Sequence, residues 1–243
     1  MNKRKILISI IILIPLTALI GFTVWAYTPL GPMPEALDAM QSTSDVNVDT
    51  SDWIVFTPLG DFPETGLILY PGGRVDPRSY APFAMDFAQQ GYLVAIVPMP
   101  FNLAVFGAGE ASSIIETYPE INQWVIAGHS LGGSMAARYS LQNPEEVKGL
   151  VLWAAYPAAG DDLTNSDIDS ASIFGSNDGL VEEQDVQNAR EQLPASNFFK
   201  MIEGGNHAQF GWYGDQPGDN PAEISRQEQQ KIIVETTIQI LGN

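Results

Sequence analysis

Short apolar runs and segments with an apolar stripe at helical spacing take turns along most of this chain. Asp45–Val48 and Trp53–Phe56 predict two early strands, and Leu67–Tyr70, directly after Gly66, predicts a strand buried on both faces. Further apolar runs lie at Leu93–Val97, Val125–Ala127, Val147–Trp153, Ser172–Phe174 and Phe198–Ile202. Between them, Phe83, Ala84, Phe87 and Ala88 form one helical stripe that Gly91 closes. Asp76-Pro77 suits the start of that helix, although Pro82 can move the start a turn later. Helical segments are also predicted at Ala111–Tyr118, after Ser130 with Met135, Ala136, Tyr139 and Ser140 on one side, and at Val181–Gln192. Ser225-Arg226-Gln227-Glu228 has the form of a capping box and opens a final helix with Ile232, Ile233, Thr236 and Ile240 along one face. From Leu67 onward strand and helix alternate and the strands are largely apolar. That predicts an α/β fold, a mostly parallel doubly wound sheet covered on both sides.

The N-terminus breaks this pattern. Lys3-Arg4-Lys5 precedes the 21 uncharged residues Ile6–Ala26, which as a helix would be about 31 Å long, enough for the hydrocarbon core of a membrane. Pro15 can kink such a helix without forbidding a span. The basic cluster orients the N-terminal end toward the cytoplasm, so the expectation is a transmembrane anchor or uncleaved signal over residues 1–27 with the rest outside the cell. A cleaved signal peptide, and hence a secreted protein, is the rival, because Val24 and Ala26 have the spacing of a cleavage site. Residues 28–44, rich in Pro, Gly, Ser and Thr, read as a linker with one turn of helix around Pro34–Met40, and residues 45–243 as a single domain.

Charge and composition narrow the function. The chain has 11 basic and 29 acidic residues for a net charge of −18, and three of the basic ones precede Ile6. So acidic a surface excludes general nucleic-acid binding. Cysteine is absent, which removes disulfides and thiolate chemistry.

Gly128-His129-Ser130-Leu131-Gly132 follows one predicted strand and opens a helix, the context of a nucleophile elbow with Ser130 at its apex. A serine nucleophile needs a base, and the chain has two histidines. His129 adjoins Ser130 and cannot readily reach back to its hydroxyl, so it reads as a packing residue. His207, in a glycine-rich loop after the last predicted strand, is the candidate general base. Asp178, directly after another strand, is the candidate to orient the imidazole, with Asp161 and Asp162 as rivals. The Leu131 backbone N–H and a donor from Pro71-Gly72-Gly73 are expected to bind the oxyanion, through Gly72 or Gly73. Arg74, Phe101, Phe106 and Phe210 are expected near the substrate pocket, Arg74 as a possible partner of a substrate carboxylate. The alternatives for these four are a surface ion pair and simple cover for the sheet edge.

Tyr70-Pro71-Gly72-Gly73, Gly128-His129-Ser130-Leu131-Gly132-Gly133, Gly175-Ser176-Asn177-Asp178-Gly179 and Gly205-Asn206-His207 together resemble the α/β-hydrolases. The short linker after Tyr156 leaves no room for a lid domain, and this layout is similar to the dienelactone-hydrolase-like branch. The resemblance implies a Ser130–His207–Asp178 triad acting through an acyl-enzyme on a small ester, with no metal or organic cofactor. Dienelactone hydrolases themselves typically use a cysteine nucleophile, from which this chain departs. A catalytically silent binding or scaffold module, and a peptidase or thioesterase on the same fold, are the competing readings.

Overall fold

The computed structural model describes residues 3–242, with side chains throughout except those of 3–9 and 183. Eight strands form one sheet: β1 (Val46–Asp49), β2 (Ile54–Pro58), β3 (Thr65–Tyr70), β4 (Leu93–Ile96), β5 (Gln123–His129), β6 (Gly149–Trp153), β7 (Asp169–Gly175) and β8 (Phe198–Ile202). Their order is β1-β2-β4-β3-β5-β6-β7-β8. The first two pairings, β1 with β2 and β2 with β4, are antiparallel, and all the others are parallel. The carboxyl ends of seven strands, all but β2, therefore face one edge, with β5 near its middle, where ligands of open α/β sheets bind.

Both faces of the sheet are covered, and the period-two geometry of a strand divides its side chains between them. Along β5, Val125 and Ala127 join one core with α3 (Ala81–Gln89) and α7 (Arg226–Leu241). Trp124 and Ile126 join the other, with α4 (Glu110–Thr117) and α5 (Leu131–Gln142). β7 and the edge strand β8 also meet α6 (Glu183–Gln192) through Val186, Ala189 and Phe199. Near α3 both sequence signals are realised. Asp76 caps a short 3₁₀ turn at Pro77–Tyr80 by accepting from the Arg78 N–H (3.0 Å), and the α-helix starts one turn later with Pro82 in its first turn. The capping box at Ser225 and Glu228 also forms.

Residues 28–44 are packed onto the domain and are not a free stalk. The Leu30 N–H donates to Arg74 O (2.7 Å) and the Met33 N–H to Trp212 O (2.8 Å). The short helix α2 (Pro34–Asp38) buries Ala36 completely, and Leu30, Met33, Ala39 and Met40 pack on the main core. Their apolar side chains, spaced through a Pro- and Gly-rich stretch, carry no periodicity that sequence reading could use.

Ahead of the linker, α1 (Lys3–Ala26) runs as one helix through Pro15. From Ile10 to Trp25 its apolar side chains are exposed on every side. Among the described residues no helix is long and apolar enough to cross a membrane. The span expected over residues 6–26 begins within residues 6–9, whose side chains lie outside those described.

Candidate active site

Ser130 directly follows β5 and precedes α5 with φ 52° and ψ −123°, a backbone conformation that strains any residue with a Cβ. Its N–H donates to Trp153 O of the neighbouring strand (3.0 Å), and the Ser134 N–H returns to Ser130 O (3.2 Å). Close packing under the turn explains the flanking glycines. A Cβ on Gly128 would run into the Gly132 backbone, and one on Gly132 would overlap the carbonyl oxygens of Tyr70 and Pro71. The glycines hold the new helix against β3 and β5 while the serine stays half-exposed above them.

The loop after β7 supplies Asp178. Its Oδ1 accepts from the Leu180 and Val181 N–H groups (2.8 Å each), and its Oδ2 lies 2.9 Å from His207 Nδ1. Both side chains of this pair are about 1% exposed. An ionised carboxylate only accepts, so Nδ1 carries the proton and Nε2 is left as the basic atom. His207 Nε2 is buried with no protein partner, and His207 and Ser130 border one cavity of about 260 Å³. No hydrogen bond joins Ser130 to His207, and such contacts commonly tighten only around substrate. The rival carboxylates lie elsewhere: Asp161 pairs with Arg138 (3.0 Å), and Asp162 accepts from Thr164.

Several supports for this arrangement have no sequence signature. Asp219 Oδ1 accepts from the Gly179 N–H (2.9 Å) and the His207 N–H (3.3 Å), while Oδ2 accepts from the Ala208 N–H (2.8 Å). One carboxylate thus stitches the Asp178 loop to the His207 loop. From α7, Gln229 accepts the Asn206 N–H (3.0 Å) and donates to Asn206 O (2.8 Å), fixing the residue before the histidine. Asp219→Ala is expected to lower kcat by about 10²-fold through misplacement of the imidazole, with KM little changed. Steady-state kinetics on an activated ester, compared with the melting temperature, check this.

His129 is a buried structural residue with an identifiable job. Tyr80 Oη accepts the Gly72 N–H (2.8 Å) and lies 2.7 Å from His129 Nδ1. Burial pushes the Tyr80 phenol well above its usual range, so it stays protonated and donates to that nitrogen. Burial first, and His207 second, push His129 well below the ordinary histidine value and keep the ring neutral. Its ring centroid lies 4.6 Å from that of His207 and 5.8 Å from Phe210, on which it stacks.

This network corrects the expected oxyanion hole. The Gly72 N–H is spent on Tyr80 and is not free to bind substrate. The Gly73 N–H has no partner among the described residues, and a Cβ on Gly73 would sit 3.2 Å from the Leu131 side chain. Gly73 is thus the donor left beside Leu131, whose own N–H opens α5 without an intrahelical partner.

The four expected pocket residues do not border the cavity beside Ser130; Leu131, Ser134, Ala154, Ala155, Tyr156, Leu180 and Val181 do. Phe210 is fully buried behind His129. Phe101 packs on Phe22, Tyr27 and Phe106 at the end of α1, with ring centroids 5.7, 5.7 and 5.4 Å away. Arg74 reaches the same helix end, its Nε donating to Trp25 O (2.9 Å) and its Nη2 to Thr28 O (2.8 Å). Among the described residues no three His, Asp or Glu side chains gather as a metal site would need.

A mostly parallel sheet in this strand order, with a strained serine at the turn from β5 to α5, defines the class: an α/β fold built around a nucleophile elbow. The sequence pattern of the alpha/beta hydrolase family matches residues 66–231, and the chain belongs to that family. Solved structures with the same fold include a dienelactone hydrolase from Anabaena variabilis, 16% identical, covering 83% of this chain and 98% of that one with a TM-score of 0.61. An alpha/beta hydrolase from the sediment metagenome of the Mar Chica lagoon is 15% identical (80% and 98% covered, TM-score 0.58). A thermophilic esterase from the planctomycete Thermogutta terrifontis, solved with butyrate bound, is 13% identical (81% and 94% covered, TM-score 0.56). No curated protein matches the sequence significantly.

Proposed function

We propose that this hydrolase cleaves small carboxylic esters through an acyl-enzyme on Ser130. The observation that carries the reading is the buried Asp178–His207 pair (2.9 Å), whose free Nε2 borders the same cavity as a serine held on a strained turn. His207 Nε2 takes the hydroxyl proton as Ser130 Oγ attacks the ester carbonyl carbon. The Leu131 and Gly73 N–H groups hold the negative oxygen of the tetrahedral intermediate. Collapse breaks the bond to the alcohol, which leaves with the proton from His207. Water then attacks the acyl-enzyme while His207 Nε2 takes its proton, and collapse breaks the bond to Ser130 Oγ, which recovers that proton from His207 as the acid is released. Asp178 keeps the Nδ1 proton in place and stabilises the transient imidazolium.

The cavity is small and walled by Leu131, Ala154, Ala155, Leu180 and Val181, which suits a short acyl group. Acetyl and butyryl p-nitrophenyl esters should exceed the dodecanoyl ester in kcat/KM by about tenfold or more. The test of the mechanism is labelling of the full chain by a fluorophosphonate, with mass spectrometry finding the adduct on Ser130. Labelling elsewhere, or none, removes the reading.

The same proposal places the catalytic domain outside the cell, held by α1 in the membrane. It is supported by Lys3-Arg4-Lys5 ahead of the helix and by apolar side chains around its whole circumference, a composition that water does not favour. Membrane fractions that release the protein to alkaline carbonate would count against it.

A further inference from the structure

We infer that Arg74 is a positioning residue for the oxyanion hole and that it acts by clasping the C-terminal end of α1. The inference rests on the proposed acyl transfer at Ser130 and adds the N-terminal segment to the parts on which it depends.

Three non-glycine residues at one place adopt the left-handed backbone region: Arg74 (φ 57°), Phe101 (φ 58°) and Asn102 (φ 54°). Each such residue is strained and persists only where its surroundings fix it. Here the fixing groups can be named. The Arg74 N–H donates to Asn102 O (2.7 Å), which ties the loop after β3 to the loop after β4. Arg74 O accepts the Leu30 N–H (2.7 Å), and the Asp76 N–H donates to Leu30 O (2.9 Å), so residue 30 bridges both sides of the turn. The Arg74 guanidinium donates to Trp25 O and Thr28 O and lies 4.3 Å over the Trp25 ring. Asn102 Nδ2 donates to Ala26 O (2.9 Å).

The acceptors are carbonyls at and just beyond the end of α1. A helix end leaves such carbonyls without intrahelical partners, and a cation there is also favoured by the helix dipole. Arg74 directly follows Gly73, the donor left for the oxyanion once Tyr80 has taken Gly72. The donor belongs to the Gly72–Gly73 peptide, whose oxygen accepts the Val75 N–H (3.1 Å) and closes a turn over Gly73 and Arg74; Tyr80 holds the start of that turn through the Gly72 N–H, and the clasp holds it at Arg74. The clasp adds to the backbone bonds from Asn102, Leu30 and Val75 in holding φ positive at Arg74. Loosening of Arg74 would open the turn closed by Val75 N–H and Gly72 O and so rotate the Gly72–Gly73 peptide that carries the donor.

The experiment uses the full chain with p-nitrophenyl acetate, active sites titrated with a fluorophosphonate, and a thermal melt of each variant. Removing one oxyanion donor outright costs about 10²–10³-fold in kcat, so Arg74→Gln, which only loosens it, should cost about 10- to 100-fold per titrated site, with KM within about twofold. Arg74→Lys can still reach one carbonyl and should recover part of the loss. Asn102→Gly tolerates the left-handed backbone but lacks the bond to Ala26, and should lower kcat in the same direction. The double variant should lose less than the product of the two single losses, as groups acting through one contact do. If Arg74→Gln keeps the wild-type kcat per titrated site, losing only active fraction or melting temperature, its role is structural and the inference is overturned. If the wild-type chain takes up no label at Ser130, the acyl-transfer reading itself has failed, and the clasp's role in it falls too.

Discussion

Ser130→Ala is expected to lower kcat for p-nitrophenyl acetate by about 10⁴- to 10⁶-fold, the range seen when the nucleophile of a serine enzyme is removed. The replacement deletes only the hydroxyl. It leaves the strained turn and the Ser130 N–H bond to Trp153 O, so the melting temperature should not fall. Alanine has the same Cβ as serine and meets the same positive φ, so any stability change belongs to the oxygen and not to the backbone. Steady-state turnover of the purified variant, corrected for wild-type carry-over, measures the effect. Turnover within tenfold of the parent would falsify Ser130 as the nucleophile.

Asp178→Asn should cost about 10⁴-fold in kcat while the fold survives. The asparagine carbonyl can still accept the Leu180 and Val181 N–H groups, so the loop after β7 keeps its shape. Its amide then faces His207 Nδ1 and donates to it, which forces the imidazole proton onto Nε2. A protonated Nε2 cannot take the serine proton, so the chemistry stops although every side chain is in place. Kinetics together with a crystal structure of the variant check this, the expected signature being an unmoved His207 ring with little activity.

The parts of this site that could be read from the sequence are those built from near neighbours. The elbow is a continuous stretch from Val125 to Gly133, and its glycines report the close approach of backbones directly. Asp178 and His207 each sit just after an apolar run, so the carboxyl edge of a parallel sheet collects them without further information. The mostly parallel pairing of the strands follows from the same alternation. The start of β7 was harder, because Asp169-Ser170-Ala171-Ser172 reads as polar. There Ser170 and Ser172 are buried by pairing with β6 and β8, Ser172 sharing a hydrogen bond with Asn197.

What could not be read depends on residues distant in sequence competing for the same atom. The Gly72 N–H looks as available as that of Gly73 until Tyr80, on the 3₁₀ turn before α3, is seen to take it. Asp219 lies in a loop of Gly, Pro, Asp and Asn with nothing to distinguish it, yet it holds both the Asp178 loop and the His207 loop. Arg74 and Phe101 looked like pocket residues because they follow the right strands. Their side chains turn away because the end of α1 offers unpaired carbonyls and aromatic rings, a partner that local patterning does not show.

The packing of residues 28–44 has a mechanical consequence. A flexible leash would let the catalytic edge swing and sample directions freely, but here the leash has no slack: Leu30, Met33 and Ala36 are fastened along its length. The direction in which α1 leaves the domain therefore fixes how the mouth beside Ser130 faces its surroundings, and the two turn as one piece.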